Sequence, residues 1–421
     1  MKLFSIKFFL FVLVANTTIF AQTSDLKNLF DNRQNFDLRD ALLKRRNDNS
    51  TELLFYRGAV ANRFDETEKS IKLLQNYLRK AGKNASHLVE AQEILADNYT
   101  KRFEYGKAAD TYKFLIDNFR GKLDEERIKG YKNMFGLWNA LRQTAPQTVH
   151  LQGDSNIQGT RDAAKLLNIP IEVGEMKDNF VFDTGAGLST ITVSTAQKHN
   201  LKIIEADVSV GSSTDINVKS KLAVAPVLKI GNVTIRNVVF LVLEDKAMSF
   251  PQINYQIHGI IGFPVIKSLG KVSLTKNDQI SIMAKSAQTK AEPNLSLQGL
   301  VPIVAGFHQN KRLIFVLDTG AVSTDFYPLF FKANEAQITL NQTLQKTKVG
   351  GAGGFREVSI YRLPEVELKI GEKPAKITNT RVLTEPANEN SRFYYGNLGQ
   401  DLIKQFGKMT LDFRTMQIIF E

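Results

Sequence analysis

Two aspartates occur in the same four-residue motif in the second part of this 421-residue chain. The string Asp-Thr-Gly-Ala stands at residues 183–186 and again at residues 318–321. Each copy follows an apolar run, so each aspartate is predicted where a buried strand ends and a turn begins. Chance would place one such tetrapeptide in on the order of one chain in a hundred of this length. Two copies therefore predict a pair of carboxylates that act together.

Paired carboxylates can perform general acid–base chemistry. Two carboxylates a few ångströms apart cannot both ionise at low cost, so they share a proton. The ionised one can then activate a water molecule while the protonated one acts as the acid. For a single copy of the motif, a β-turn without chemical function is an equally good interpretation. The second copy favours chemistry.

The motif belongs to a longer internal repeat of about 125 residues. Asp183 and Asp318 are 135 residues apart, and Ser189 and Thr324 keep that offset. Similar strings continue at offsets between 132 and 140, including Leu-Lys-Ile-Gly at 228–231 and 368–371. The sequence therefore predicts two copies of one folding unit.

Each copy resembles a lobe of a retropepsin-like aspartic protease, and the pair resembles a duplicated, single-chain, two-lobed form over residues 150–421. In that family a later hydrophobic-hydrophobic-Gly string crosses behind each Asp-Thr-Gly turn. Ile260-Ile261-Gly262 fits this pattern, whereas Asn397 departs from it because Asn replaces an apolar residue. An Ala after each Asp-Thr-Gly is closer to the retroviral branch than to pepsin-type lobes.

The resemblance implies which residues form the site. The expected catalytic residues are Asp183 and Asp318. The expected active-site turns add Thr184, Gly185, Ala186, Thr319, Gly320 and Ala321. The expected flap residues, from glycine-containing hairpin tips, are Gly211, Ser212, Gly350, Gly351 and Gly353. Inert turns are the alternative for the hairpin tips, and a phosphate cradle is disfavoured because a strand follows where a helix would be needed.

Composition excludes several other chemistries. The chain has no cysteine, which removes disulfides, thiol catalysis and thiolate metal sites. Its five histidines lack metal-ligand spacing, and neither Gly-x-Ser-x-Gly nor His-Glu-x-x-His occurs. The formal charge of +12 comes from scattered Lys and Arg. We expect no cofactor, no metal and no nucleic-acid partner, with acidic envelope polymers or nucleic acid as the lesser alternative for the basic surface.

Residues 1–21 have the pattern of a signal peptide. Two lysines precede an apolar core at 8–15, and Ile-Phe-Ala at 19–21 gives a plausible cleavage point. The core is too short to span a bilayer, so no membrane span is expected after cleavage. The segment predicts an exported protein, periplasmic or secreted. An uncleaved N-terminal anchor is the alternative.

Residues 25–145 have long helical periodicity and no proline. Similar strings 39 residues apart, at 62–64 and 101–103, suggest stacked helical hairpins and resemble tetratricopeptide repeats. An unrelated helical bundle is the alternative. The predicted fold class is thus multidomain: an N-terminal all-α helical repeat followed by an all-β, two-lobed aspartic protease with barrel lobes. The predicted segments are a helical domain at 25–145, lobe 1 at 150–284, a linker at 285–298 and lobe 2 at 299–421.

The functional prediction is an exported aspartic endopeptidase that acts on peptide or protein substrates. The helical domain would recruit a substrate or a protein partner. Two alternatives stay open: a non-catalytic module that holds peptides in the same cleft, and a scaffold whose helical repeat carries the function. Retention of an aspartate in both copies favours the enzyme.

Overall fold

A computed structural model describes residues 25–211, 217–284, 291–351 and 354–421. The predicted signal peptide at 1–21 and two predicted flap residues, Ser212 and Gly353, lie outside the described residues. The chain forms two compact units, the first ending at Leu88 and the second running from Val89 to Glu421. Everything that positions the two aspartates belongs to the second unit.

Helices occupy the first part of the chain and strands dominate the rest, which confirms the predicted fold class. The N-terminal helices are α1 (25–31), α2 (Asn35–Leu43), α3 (Thr51–Arg63), α4 (Thr67–Lys80), α5 (Leu88–Lys101), α6 (Tyr105–Phe119) and α7 (Glu125–Ala140). Short 3-10 turns lie at Arg120–Lys122, Asp245–Met248, Pro251–Ile253 and Asn390–Arg392. None of the described helices is both long enough and apolar enough to cross a membrane.

The turns that precede α2, α4 and α6 have the same backbone geometry. Arg33, Asp65 and Phe103 adopt left-handed conformations with φ of 55°, 60° and 60°. In each turn the next amide donates to the carbonyl five residues earlier at 2.8 Å: Gln34 to Leu29, Glu66 to Ala61 and Glu104 to Tyr99. The last two turns are therefore 38 residues apart. The register of 39 read from the sequence is wrong by one residue, because Asp65 and not Phe64 takes the left-handed position.

The first large sheet is built from residues between 148 and 261. The elements of this half are β1 (Thr148–Leu151), β2 (Ser155–Gln158), β3 (Thr160–Arg161), β4 (Leu167–Val173), β5 (Met176–Phe182), β6 (Ser189–Thr192), α8 (Val193–Lys198), β7 (Ile203–Gly211), β8 (Asn217–Ile230), β9 (Val233–Leu243), β10 (Ser249–Phe250), β11 (Tyr255–Gln256), β12 (Gly259–Ile261), α9 (Phe263–Ser268), β13 (Lys271–Thr275) and β14 (Gln279–Ile282). The sheet order is β1-β9-β6-β12-β5-β4-β8-β7, with β3 paired to β4. Strands β10 and β11 pair separately.

The second large sheet repeats this arrangement. Its half contains β15 (Leu295–Gln298), β16 (Val301–His308), β17 (Lys311–Leu317), β18 (Asp325–Phe326), α10 (Pro328–Asn341), β19 (Gln345–Gly351), β20 (Gly354–Ile370), β21 (Lys373–Leu383), β22 (Gly396–Leu398), α11 (Gln400–Ile403), β23 (Lys408–Asp412) and β24 (Gln417–Phe420). The order is β15-β16-β17-β22-β18-β21-β20-β19. The whole of strand β15 lies inside the segment 285–298 that is predicted as a linker, because β15 pairs with β16 and is part of the second sheet.

The two sheets use the same pairings around the aspartates. In the first, β12 lies parallel to β5 and antiparallel to β6, and in the second, β22 lies parallel to β17 and antiparallel to β18. Strand β5 ends one residue before Asp183, and β17 ends one residue before Asp318. Both aspartates therefore leave their sheets from equivalent strands.

A third sheet joins the two halves. Its order is β2-β14-β13-β23-β24, and β13 of the first half pairs antiparallel with β23 of the second. The hydroxyls of Ser273 and Thr410 lie directly opposite each other and form a buried hydrogen bond of 2.7 Å. This pairing ties the ends of the two halves together.

The segment after the first turn differs from its prediction. The sequence pattern predicts a short helix over residues 189–201, after the first active-site turn, but Ser189–Thr192 form the buried strand β6, and α8 starts only at Val193. The Thr192 hydroxyl accepts from the Thr195 amide and caps the helix. The expectation of a helix is wrong over these four residues because β6 is needed to pair with β9 and β12.

Helices α6 and α7 pack on the first sheet. Their buried side chains Tyr105, Leu137 and Trp138 form one apolar cluster with Val208 of β7 and Leu222 of β8. Across the same contact, the Asn133 side chain donates to the Ser209 carbonyl at 2.7 Å and accepts from the Ser209 amide at 2.8 Å. The helices therefore cover an apolar face of the hairpin that β7 and β8 form.

This packing predicts how far the chain can be shortened. A chain of residues 89–421 keeps the covered face, whereas a chain of residues 150–421 exposes Val208 and Leu222 to water. We expect the shorter chain to melt at least about 10 °C lower, given that burying one large aliphatic side chain contributes about 1.5–3 kcal/mol. Thermal unfolding of both purified chains measures the difference. Equal melting temperatures would contradict the structural dependence on α5–α7.

Candidate active site

Each aspartate is fixed at the end of a buried strand. Phe180, Val181 and Phe182 are buried in β5, and the apolar end of β17 is buried in the same way. The Asp183 amide donates to the Ile261 carbonyl at 3.1 Å, and the Asp318 amide donates to the Leu398 carbonyl at 3.0 Å. The parallel neighbours β12 and β22 therefore hold the backbone of both residues.

The two turns are interlocked through Thr184 and Thr319. The amide of each threonine donates to the hydroxyl of the other at 3.0 Å. The Thr184 hydroxyl donates to the Leu317 carbonyl at 2.8 Å, and the Thr319 hydroxyl donates to the Phe182 carbonyl at 2.8 Å. Both side chains are fully buried. Each turn is thus held by the strand of the opposite half.

Glycine at the third position brings the carboxylates together. A Cβ added to Gly185 would lie 2.7 Å from Cγ of Asp318, and one added to Gly320 would lie 2.5 Å from Cγ of Asp183. Real Cβ atoms do not approach other atoms this closely, so only glycine fits at either position. Each half-buried carboxylate rests on the backbone of the opposite turn.

The two carboxylates accept hydrogen bonds differently. Asp183 accepts from the amides of Gly185 at 2.7 Å and Ala186 at 3.2 Å, both on Oδ1. Asp318 accepts on both oxygens: the Gly320 amide donates to Oδ1 at 2.8 Å, and the Asn397 side chain donates to Oδ2 at 2.9 Å. Within the described parts of the chain, Oδ2 of Asp183 accepts from no N–H group. That oxygen is the one best able to carry a proton.

Burial raises the pKa of Asp183 well above its usual value, and the negative charge of Asp318 raises it further. The amides of Gly185 and Ala186 oppose this shift because they stabilise the ionised form. The protonated form of Asp183 is therefore favoured beside Asp318. A proton shared between two adjacent carboxylates requires a shift in this direction.

The dyad lies in a cleft of about 550 Å³ lined by residues of both halves. Asp183, Gly185, Ala186, Asp318, Gly320 and Ala321 line it, and Thr184 and Thr319 are buried. Of the predicted flap residues, Gly211 and Gly350 also line the cleft, and Gly351 ends β19. Gly211 of β7 and Gly350 of β19 thus contribute to the same cavity as the two turns.

Sequence reasoning missed two parts of this site. Asn397 was noted only as a departure from a pattern, although its alignment with Ile260 already identified a polar side chain behind the second turn. Asp325 and Arg381 form an ion pair that also lines the cleft, but neither residue belongs to a recognisable sequence motif. The repeat offset of 140 could have found Arg381, because it aligns with Leu241.

The interlock makes a prediction about stability. Thr184→Val leaves the Thr319 amide and the Leu317 carbonyl buried without partners, and we expect it to lower the free energy of unfolding by about 3 kcal/mol. Thr339→Val is the matched control, because Thr339 is exposed on α10 and its hydroxyl donates to carbonyls of the same helix. Urea unfolding measures both variants. Equal effects of the two substitutions would argue against the interlock.

Comparison with known proteins finds a family model that matches part of the chain. A family model described as aspartyl protease (Asp_protease_2) matches residues 169–265. The matched region runs from β4 to α9 and includes the first turn with Asp183. No curated protein matches the chain. The match supports a protease function for the part of the chain that contains the first of the two turns.

Proposed function

We propose that this protein is an exported aspartic endopeptidase that hydrolyses peptide bonds with a water molecule activated by Asp183 and Asp318. The interlock of the two turns carries the proposal, because it holds both carboxylates side by side on the floor of one cleft. The aspartyl protease match over residues 169–265 supports the same reaction class.

The proposed form is a duplicated, single-chain protease with one active-site turn from each half. Support comes from the two large sheets, which have the same pairings around the aspartates, and from the internal sequence repeat. The approach of each carboxylate to the opposite glycine also means that neither half alone completes the pair.

The hydrogen bonds suggest a role for each aspartate. Asp318, with a donor on each oxygen, is the ionised base that removes a proton from water. Asp183 carries the shared proton and gives it to the carbonyl oxygen as the hydroxide forms its bond to carbon. Asp318 then returns its proton to the amide nitrogen, the C–N bond breaks, and Asp183 recovers a proton from a hydroxyl of the intermediate. Protons and electrons balance without a cofactor.

A non-catalytic peptide-binding module is the rival. Such a module would gain nothing from keeping two carboxylates side by side, because their mutual repulsion and their burial both oppose ionisation. Both aspartates and both glycines that let them meet are present. The enzyme is the better explanation of this arrangement.

Export and recruitment complete the proposal. The signal-peptide pattern at residues 1–21 supports a periplasmic or secreted location. The helical hairpins of the N-terminal region would bind a substrate or a protein partner.

The first test is substitution of each aspartate. Asp183→Asn and Asp318→Asn are each expected to reduce kcat/KM by at least about 10³-fold, because the reaction needs one base and one acid from the pair. Cleavage of a peptide library, with and without a statine-type inhibitor, measures the parent and both variants. Near-normal turnover by either variant would refute the paired-carboxylate mechanism.

Asp183→Asn should also change how the stability of the folded protein depends on pH. A folded-state pKa raised above 3.8 means that the folded chain binds the Asp183 proton more tightly than the unfolded chain does. Stability is therefore lost as the pH rises from the unfolded value through the raised value. Asp183→Asn removes this loss, so the fall in melting temperature above about pH 4 should be smaller in the variant.

The second test concerns Asn397 and the pH profile. Asn397→Leu removes a donor to ionised Asp318, so we expect the acidic limb of kcat/KM to move to higher pH by about one unit. Ile260→Asn is the matched change in the first half. It offers a donor near Asp183 and should move the alkaline limb to lower pH. If neither variant changes the pH profile of kcat/KM, the proposed roles of Asp318 as base and Asp183 as acid are wrong.

A further inference from the structure

The walls of the cleft differ in polarity on the two sides of the dyad. The matched positions follow from strand register: Ile260 lies opposite Thr190, and Thr190 lies opposite Leu241, in the first sheet. In the second sheet the equivalent row contains only polar side chains, which are Asn397, Asp325 and Arg381 in that order. All six residues line the cleft.

In each half these three residues form a row across neighbouring strands, and the row runs away from the aspartate of that half. Asn397 contacts Asp318 directly, and Asp325 and Arg381 follow on the next two strands of the second sheet. Neighbouring strands are spaced by about 4.8 Å, so the backbone of Arg381 lies about 10 Å from that of Asn397, the residue that contacts Asp318. An extended peptide advances about 3.3 Å per residue, so the Arg381 side chain can reach substrate residues within about three positions of the scissile bond.

Arg381 is held in a fixed orientation. Its Nε donates to Oδ1 of Asp325 at 2.6 Å, and its Nη2 donates to Oδ2 at 2.7 Å. The side chains are only 24% and 18% exposed, so the pair is partly shielded from water. A bidentate pair of this kind fixes the guanidinium plane.

The pairing decides which substrate group fits. Each oxygen of Asp325 accepts one hydrogen bond from Arg381, whereas Nη1 of Arg381 has no partner among the described residues. The pair therefore presents unused N–H donors of Arg381, while the charge of Asp325 is already neutralised by Arg381. A substrate oxygen can bind to these donors, while a basic side chain would have to compete with Arg381 for Asp325.

The opposite wall has the reverse preference. Leu241 and Thr190 are nearly buried, and further apolar side chains, Leu243, Met248, Phe250 and Ile253, line the cleft on that side. A polar substrate side chain placed there would lose its hydrogen bonds to water without replacement. An apolar side chain would gain from burial.

Building on the proposed function, we propose that the substrates are peptides with an apolar residue on one side of the scissile bond and a carboxylate or carboxamide side chain on the other, bound by Arg381. Asp325 positions Arg381 and does not contact the substrate. These substrate side chains have in common an oxygen that accepts a hydrogen bond, which Asp and Glu supply as a carboxylate and Asn and Gln as a carboxamide.

The test compares substrate preference in the parent and in a variant that copies the first wall. Arg381→Leu with Asp325→Thr replaces the ion pair as a unit, which avoids leaving one charge buried and unpaired. Peptides carry Glu, Gln, Leu or Lys at each position within three residues of the bond, in both orientations. At one position the parent should favour Glu or Gln over Leu by about tenfold in kcat/KM. A larger effect of Glu than Gln identifies the carboxylate as the preferred source.

In the double variant this preference should disappear or reverse, while the pH profile stays that of the parent because the dyad is untouched. Leu383→Val is the control, since it changes volume on the same wall without changing polarity. Thermal unfolding establishes that both variants are folded, and Arg381→Gln provides a smaller change if the double variant is not. A parent that prefers Lys or Leu at every position, or a preference that survives in the folded variants, would overturn the proposal.

A binding measurement tests the proposed substrate specificity independently of the proposed cleavage reaction. Non-cleavable peptides with a reduced scissile bond, carrying Glu, Gln or Leu at the tested positions, are titrated calorimetrically into the parent and the double variant. Tighter binding of the Glu or Gln peptide that is lost in the variant supports the specificity even if no peptide is cleaved, in which case only the endopeptidase function fails. Equal binding of all peptides by the parent overturns the specificity whatever the activity.

Discussion

The site depends on the exchange of hydrogen bonds between Thr184 and Thr319. Each threonine bonds the backbone of the opposite half with both its amide and its hydroxyl, so the turns cannot separate without exposing buried polar groups. The same contact brings Gly185 under Asp318 and Gly320 under Asp183. The repulsion between two neighbouring carboxylates is thus opposed by neutral hydrogen bonds directly beneath them.

The two halves share a backbone plan but differ in side-chain chemistry where they face the cleft. Ile260 and Asn397 occupy the same register position, yet only Asn397 donates to an aspartate. A symmetric pair would leave the location of the shared proton undetermined, whereas one added donor distinguishes the oxygens. Small differences between the two halves therefore decide the polarity of each wall and, in the proposed mechanism, the location of the shared proton.

The sequence predicted the fold class because its periodicity changes from helical to strand-like near residue 145, and it predicted the paired turns because the motif recurs in one repeat. It did not predict β6, since Ser189–Thr192 is too short for a periodic signal and is strand only through pairing with β9 and β12. Nor did local patterns reveal Arg381 and Asp325. Their meeting depends on register between β18 and β21, which lie far apart in the chain.

The two hairpins that contribute residues to the cleft, β7–β8 and β19–β20, are held by different packing contacts. Moving the first one away from the helices uncovers Val208 and Leu222 and breaks both bonds between Asn133 and Ser209. The second carries a smaller apolar cluster around Val358 and Ile360, and near its tip the exposed Phe355 meets Phe250 with ring centroids 6.3 Å apart. Separating two aromatic rings costs less than uncovering a buried cluster. The contact between Phe355 and Phe250 therefore holds the second hairpin less strongly than the helices hold the first one.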